Sequence, residues 1–511
     1  MKYLLLSGFL LLCFLPLLSQ GESFQTAYEQ EVLLNKGATH LELLMAMGTG
    51  ASRERTQAVK KDLDAFISEI KSSDMMRMPE VKLMKELHRK VHKRFLTEYK
   101  FITPFHEIFE TGQYNCVSAT ALFALVLEGL DIPYNIQEQP THVYIMAYPE
   151  TKAISVEMTA LKDVYYLPGR KDVTQAVGTL LELNVITEED VRRNGEQQIY
   201  QAFYNTNDVI DLRQLAGIQY FNEAILRAND EQFEDALDII CKAEKLYDVK
   251  KTGVFKREML TTLMADAAFD SMKDINYLVC YANFEKADLK KVYFQYASFI
   301  QEQLVTKGRR ELADSSHAFI TQYIVDTSFA KSLSSMYYLG VSEYFSNVYN
   351  LKKQLDYAEL SYKNDPENMP IQSWLATSIV MNLVDKYESD ELIVKMDRYV
   401  QKYPYLQTHN KFLSLYFYAC REVSYDYYSE NDGENGKKYF DLAVKTMNAI
   451  TDKELLDQDQ VGWLYAEAGA YLLRKHRDRE ALATLEEGLK LAPDHERILA
   501  RIEIAKERLN K

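Results

Sequence analysis

Residues 112–160 read GQYNCVSATALFALVLEGLDIPYNIQEQPTHVYIMAYPETKAISVEMTA, and this stretch decides the fold. Asn115 is a good N-cap residue, because its short side chain can accept from a free backbone N–H at a helix start. From Cys116 to Leu130 the sequence is apolar almost all round, which predicts a helix buried on every side. Gly129 and Asp131–Ile132–Pro133 stop it. Three β-rich segments follow, Tyr134–Gln139, His142–Tyr148 and Ala153–Met158, bounded by Pro140, Pro149 and the polar Glu150–Thr151–Lys152. They are expected to form adjacent antiparallel strands, the last two as a hairpin. A buried helix followed by a small sheet is an α+β arrangement.

Chemistry-bearing side chains sit at the ends of these elements. Cys116 begins the buried helix, where the helix dipole and unpaired N–H groups favour negative charge on sulfur. His142 opens the second strand and Glu157 lies on the third. A turn centred on Pro149–Glu150 makes His142 and Glu157 direct cross-strand partners. Glu157 can then hold one imidazole nitrogen while the other faces the thiol, the geometry of a nucleophile, a base and its orienting acid.

In the strings YNCVSATAL, THVYIMAYP and VEMTA the chain resembles the transglutaminase-like superfamily, a branch of the papain-like fold. Members carry a cysteine at a helix start, a histidine opening a strand and an aspartate on the next strand. The resemblance covers roughly residues 80–160. It implies Cys116 as nucleophile, His142 as base and Glu157 as acid, with acyl transfer from a carboxamide through a thioester. It also implies an oxyanion site from the Cys116 N–H, with Gln113 as a second donor. Two departures are visible: Glu157 stands where the family has Asp, and Val117 where an aromatic often follows the cysteine. Some relatives with C-terminal helical repeats have lost the triad, so a non-catalytic scaffold is the alternative reading. A metal site built from Cys116, His142 and Glu157 ranks below both, because a structural zinc takes four protein ligands and a catalytic one three plus water. The pattern calls for no cofactor and no metal.

Upstream, Ala58, Leu63, Phe66, Ile67 and Ile70 mark one helix, and Val81, Met84, Leu87, Val91 and Phe95 a second, running from about Met78 to Tyr99. His88 and His92 are four apart on the latter. With Arg89, Lys90 and Lys93 around them, a solvated helix face is expected rather than a metal pair. His106 is expected in a loop. Gly48-Thr49-Gly50 lacks the glycines and preceding strand of a phosphate loop, and Ser52 is a candidate cap for the next helix.

Short helices are expected at Thr174–Leu181 and Thr187–Arg193, and a loop around Tyr165–Gly169. Downstream of Leu212 the sequence becomes long helices with almost no glycine or proline. GWLYAEAGAYLLRKHRDREALATLEEGLKLAP, residues 462–493, resembles one tetratricopeptide repeat. Tyr465 takes the first aromatic position, and Gly469, Ala481, Leu485 and Gly488 the close-packing positions. Weaker copies stand at Phe221–Asp248 and Leu339–Pro366. The run 249–460 is assigned to the repeats on continuity, with an irregular helical array as the alternative. Tyrosines between 337 and 428 are expected in the repeat core, a few of them lining a concave peptide-binding face.

The start, MKYLLLSGFLLLCFLPLLSQGES, places one Lys before an apolar run with small residues at Ser19 and Gly21. It reads as a secretory signal peptide, with an N-terminal membrane anchor as the alternative. The expected destination is the periplasm or the medium, in a bacterial envelope setting. Of the five cysteines, Cys241, Cys280 and Cys420 fall in helical apolar patterns as small buried hydrophobes. A net charge of −15 without a basic stripe disfavours nucleic acid. The fold class is thus an α+β transglutaminase-like domain, then an all-α helical-repeat solenoid, mostly α overall. The expected limits are a signal peptide at 1–21, the α+β domain at 22–205 and repeats at 206–511. The repeats are expected to bind a peptide or protein, and no later segment is expected to span a membrane.

Overall fold

The computed structural model describes residues 24–139, 142–159, 170–183, 185–204 and 208–510. The expected signal peptide and the loop around Tyr165–Gly169 lie outside them. The protein is mostly α: among the described residues there are 24 α-helices and six short strands. None of these helices is long and apolar enough to cross a membrane. The chain divides into two compact units, one running to Phe269 with Lys273–Asp288, the other holding Asp270–Met272 and Leu289 onward.

The first unit starts with α1 (Ala27–Leu34), α2 (His40–Met45), α3 (Arg53–Lys71) and α4 (Glu80–Phe95). Ser52 caps α3 by accepting from the Arg55 N–H. The helix expected to reach Tyr99 stops at Phe95, because Glu98–Tyr99 (β1) pairs in parallel with Gln113–Tyr114 (β2) across the short helix α5 (Glu107–Glu110). Next comes α6 (Cys116–Gly129), then β3 (Tyr134–Gln139), β4 (His142–Ala147) and β5 (Ile154–Val156). Arg170–Glu182 (α7), Glu188–Asn194 (α8) and Glu196–Tyr204 (α9) carry the two short helices expected here. Val209–Ile210 (β6) leads into α10 (Leu212–Asn229), α11 (Phe233–Leu246), α12 (Lys250–Asp266) and α13 (Met272–Ala282).

Burial explains why α6 is apolar on every side. β3 and β4 cover one side of it, and α2, α3 and α10 pack against the rest. Ten of its side chains, from Val117 to Leu127, are buried. The sheet order is β5-β4-β3-β6, all antiparallel. Because β6 pairs with Ile136 and Gln137 of β3, and α10 packs on α6, residues beyond 205 belong to the same compact unit as the sheet. Gln219 of α10 is buried there; it accepts from the Phe105 N–H at 2.7 Å and donates to the Leu44 carbonyl at 3.2 Å. The unit therefore continues to Asp288, past the expected division at 205/206.

The register of the β4–β5 hairpin corrects the sequence expectation. Ile145 pairs with Val156 and Ala147 with Ile154, so the connection is the six residues Tyr148–Ala153. Tyr148 and Ala153 both adopt positive φ (52° and 47°), and the Tyr148 carbonyl accepts from the N–H groups of Thr151, Lys152 and Ala153. This loop is two residues longer than a turn centred on Pro149–Glu150. Continuing the register past Val156 sets Glu157 opposite Tyr144, not His142. A shift of two preserves the face, since side chains alternate with period two.

The second unit is a succession of helices: α14 (Leu289–Ile300), α15 (Arg310–Tyr323), α16 (Thr327–Asn347), α17 (Leu351–Asn364), α18 (Met369–Leu383), α19 (Ser389–Lys402), α20 (Asn410–Ser429), α21 (Gly433–Ala449), α22 (Gln458–Arg474), α23 (Asp478–Leu491) and α24 (Glu496–Leu509). Neighbours in sequence pack as hairpins, most extensively α16 on α17, α20 on α21 and α22 on α23. In the last of these, a Cβ on Gly488 would stand 2.4 Å from the Tyr465 Cβ, and one on Gly469 2.4 Å from Leu485 Cδ2. Tyr465, Ala481 and Leu485 are buried in that contact. Cys420 is buried as expected, whereas Cys241 and Cys280 are half-buried.

Candidate active site

Cys116 owes its place to Asn115. The Asn115 Oδ1 accepts from the Ser118 N–H at 2.8 Å, and the Ser118 hydroxyl accepts from the Asn115 N–H at 2.9 Å. This reciprocal cap fixes Cys116 as the first helical residue. The Asn115 amide, itself buried, donates to the Thr103 carbonyl at 3.3 Å, pinning the helix start to the preceding loop. One turn on, Thr120 shares the face of Cys116. Its hydroxyl donates to the Val143 carbonyl at 3.2 Å, which docks this face of α6 against the first residues of β4. Thr120 was not singled out from the sequence; its spacing of four from the cysteine is the signal that could have found it.

His142 is the first residue of β4, and its Nε2 is hydrogen-bonded to Glu157 Oε2. The pair is diagonal across the β4–β5 ladder, a separation that suits a long side chain. A glutamate, one methylene longer than the aspartate of the resembled family, spans it. With Nε2 taken, Nδ1 is the ring nitrogen left for the thiol. Hydrogen bonding to Cys116, then to Glu157, raises the His142 imidazolium from its ordinary range to about 9, although burial opposes the charge. Tyr144, two residues along the same face, stacks beside the ring at 6.3 Å. Cys116 is half-buried, and the His142 and Glu157 side chains keep 21% and 24% of their surface exposed.

The structure thus brings Cys116, His142 and Glu157 together and turns Gln113 elsewhere. The Gln113 amide donates to Glu98 Oε2 at 3.0 Å along the β1–β2 pairing. Tyr99, on the strand beside it, lies close enough to Cys116 that the sulfur reinforces the effect of burial in raising its phenol.

Two further residues take part that the sequence reading assigned to solvent. His88 and His92 of α4 are half-buried, their rings 4.4 Å apart. His88 Nε2 donates to the Glu157 carbonyl at 3.0 Å. The His92 ring meets Tyr114 edge-on at 5.8 Å, with its Nε2 buried and without a hydrogen-bond partner among the described residues; burial, then the neighbouring His88, lowers its proton affinity. His106 stands just before α5, with its side chain mostly buried against Gly48. It lines a separate cavity of about 380 Å³ with Glu29, Arg55, Glu110, Tyr220 and Lys242; none of the triad residues lines that cavity.

No protein-family model matches the chain, and no curated protein matches it.

Proposed function

We propose that the first unit carries a transglutaminase-like cysteine site, centred on residues 80–160, which transfers the acyl group of peptide-type amides. The observation that carries this reading is the meeting of a helix-N-terminal thiol, a strand-initial imidazole and a carboxylate, all three half-buried. The Cys116 sulfur attacks the amide carbonyl, and His142 delivers the proton that lets the amine leave. A thioester remains, which water resolves to an acid or an amine to a new amide. Glu157 holds the imidazole through Nε2 and stabilises its positive form. The Cys116 N–H at the open end of α6 is the donor for the oxyanion. Gln113 joins it only if its amide leaves Glu98. The helical hairpins of the second unit, tetratricopeptide-like in the 462–493 pair, are proposed to hold a peptide or protein partner, and the chain to be exported to the periplasm or the medium.

A non-catalytic scaffold is the second reading. It is favoured by the Gln113 amide being engaged by Glu98 and by the cavity lying away from the triad. Alkylation separates the two. On the catalytic reading Cys116 reacts with iodoacetamide at pH 7 faster in the folded protein than in urea, and His142→Ala removes the excess. Equal rates in folded and unfolded chain, or no effect of His142→Ala, leave the scaffold.

A further inference from the structure

Beyond Val156 the third strand has no ladder partner, so the segment carrying Glu157 is not held by the sheet. The carboxylate nevertheless has to meet an imidazole diagonally across the hairpin. Something other than β pairing must fix this backbone, and α4 supplies it. His88 and His92, four residues apart, project from one helix face. His88 donates from Nε2 to the Glu157 carbonyl at 3.0 Å, and the His92 ring lies 4.4 Å from the His88 ring. Leu87 and Val91 beside them are fully buried, so the helix that presents the two rings is anchored in the core. The same His92 ring packs edge-on against Tyr114, two residues before the cysteine. One helix face therefore touches the chain on both sides of the site: the segment that leads into Cys116 and the segment that carries the acid.

We infer that His88 is a positioning residue, a clamp that holds the Glu157 backbone so that its carboxylate meets His142 Nε2, with the His92 ring packed between it and Tyr114. This rests on the cysteine-site reading above. The clamp acts on the main chain, so it works whatever side chain the acid position carries. It also accounts for histidine rather than lysine or arginine on this face: a short planar ring with a terminal N–H reaches a carbonyl from a half-buried helix without bringing an obligatory charge.

The test uses the full chain and two reagents, iodoacetamide and iodoacetate, with Cys116 labelling read by peptide mass spectrometry from pH 5 to 10. Both reagents need the thiolate, so the ratio of iodoacetate to iodoacetamide rates reports the charge on His142. His88→Leu removes the donor and keeps the bulk; His88→Gln restores an N–H at about the same reach. His88→Leu is expected to slow labelling at pH 7 roughly 10-fold, as for a lost outer-shell partner, and to move the fall in the ratio to lower pH. His88→Gln is expected to restore both. A His88→Leu profile that superimposes on wild type overturns the clamp, and so does equal slowing by Leu and Gln with an unmoved ratio, which marks a packing role. If His88→Leu does not fold, judged by far-UV circular dichroism, His88→Asn, whose side chain is too short to reach the Glu157 carbonyl, carries the same test against His88→Gln. Wild-type Cys116 that reacts no faster folded than in urea removes the cysteine-site reading itself, and the clamp with it, a result distinct from either clamp failure.

Discussion

Glu157→Gln isolates the contribution of the acid. In the folded protein Cys116, then Glu157, push the His142 imidazolium up to about 9, against an ordinary histidine value near 6.5. The gap, about 2.5 units, corresponds to roughly 3 kcal/mol favouring the protonated ring. Cys116 is its largest cause and Glu157 the second. Glutamine keeps an acceptor of the same length and removes the charge, and charge-assisted hydrogen bonds are about twice as strong as neutral ones. The expected loss is on the order of 1 unit, or ~1.4 kcal/mol. The assay is the ratio of iodoacetate to iodoacetamide labelling of Cys116. The anionic reagent is favoured while the imidazolium is present and loses its advantage as the ring deprotonates. In wild type the ratio should fall through pH about 9, in Glu157→Gln about one unit lower, and in His142→Ala it should show no step. The sign for stability follows from the same shift. A raised histidine stabilises the folded state fully below pH ~6.5, and that contribution fades as pH rises through about 9. A ratio that steps at the same pH with and without the carboxylate refutes the claim that Glu157 holds the imidazolium.

Other perturbations test how the frame is held. Asn115→Ala removes a reciprocal cap and a buried amide contact, and should destabilise the first unit by about 2 kcal/mol, read from the denaturant midpoint by circular dichroism. Lys242→Met leaves Glu29 buried without its cation, both side chains being 1% exposed in the native pair, and should cost roughly 4 kcal/mol in the same measurement. Gly488→Ala drives a methyl group into Tyr465 and should cost about 2 kcal/mol in the second unit, visible in the fluorescence of Trp374 and Trp463. Burial pushes the Cys420 thiol up to about 12, so it should resist alkylation at pH 8 until the chain is unfolded.

Local pattern carried a large part of the architecture. The cap at Asn115, the buried helix after it and the extents of β3 and β4 were legible because each is written in contiguous residues by turn chemistry and periodicity. The close approach in the 462–493 pair was legible from its small residues. The hairpin register was not, since it turns on positive φ at Tyr148 and Ala153, two residues whose side chains do not announce it. Nor was the reach of the first unit past residue 205, which depends on β6 finding β3 and Gln219 finding Phe105 more than a hundred positions away.

By itself, then, the sequence determined which residues could do chemistry and on which elements they stand: a thiol at a helix start, an imidazole at a strand start, a carboxylate beyond a turn. Only the tertiary structure decided that Glu157 meets His142 diagonally and that His88 donates to its backbone carbonyl. The reason is physical. Helix caps and strand alternation are set by neighbours within a few residues, whereas the aim of a side chain across a sheet is set by loop length and by groups that are close in space but remote in the chain.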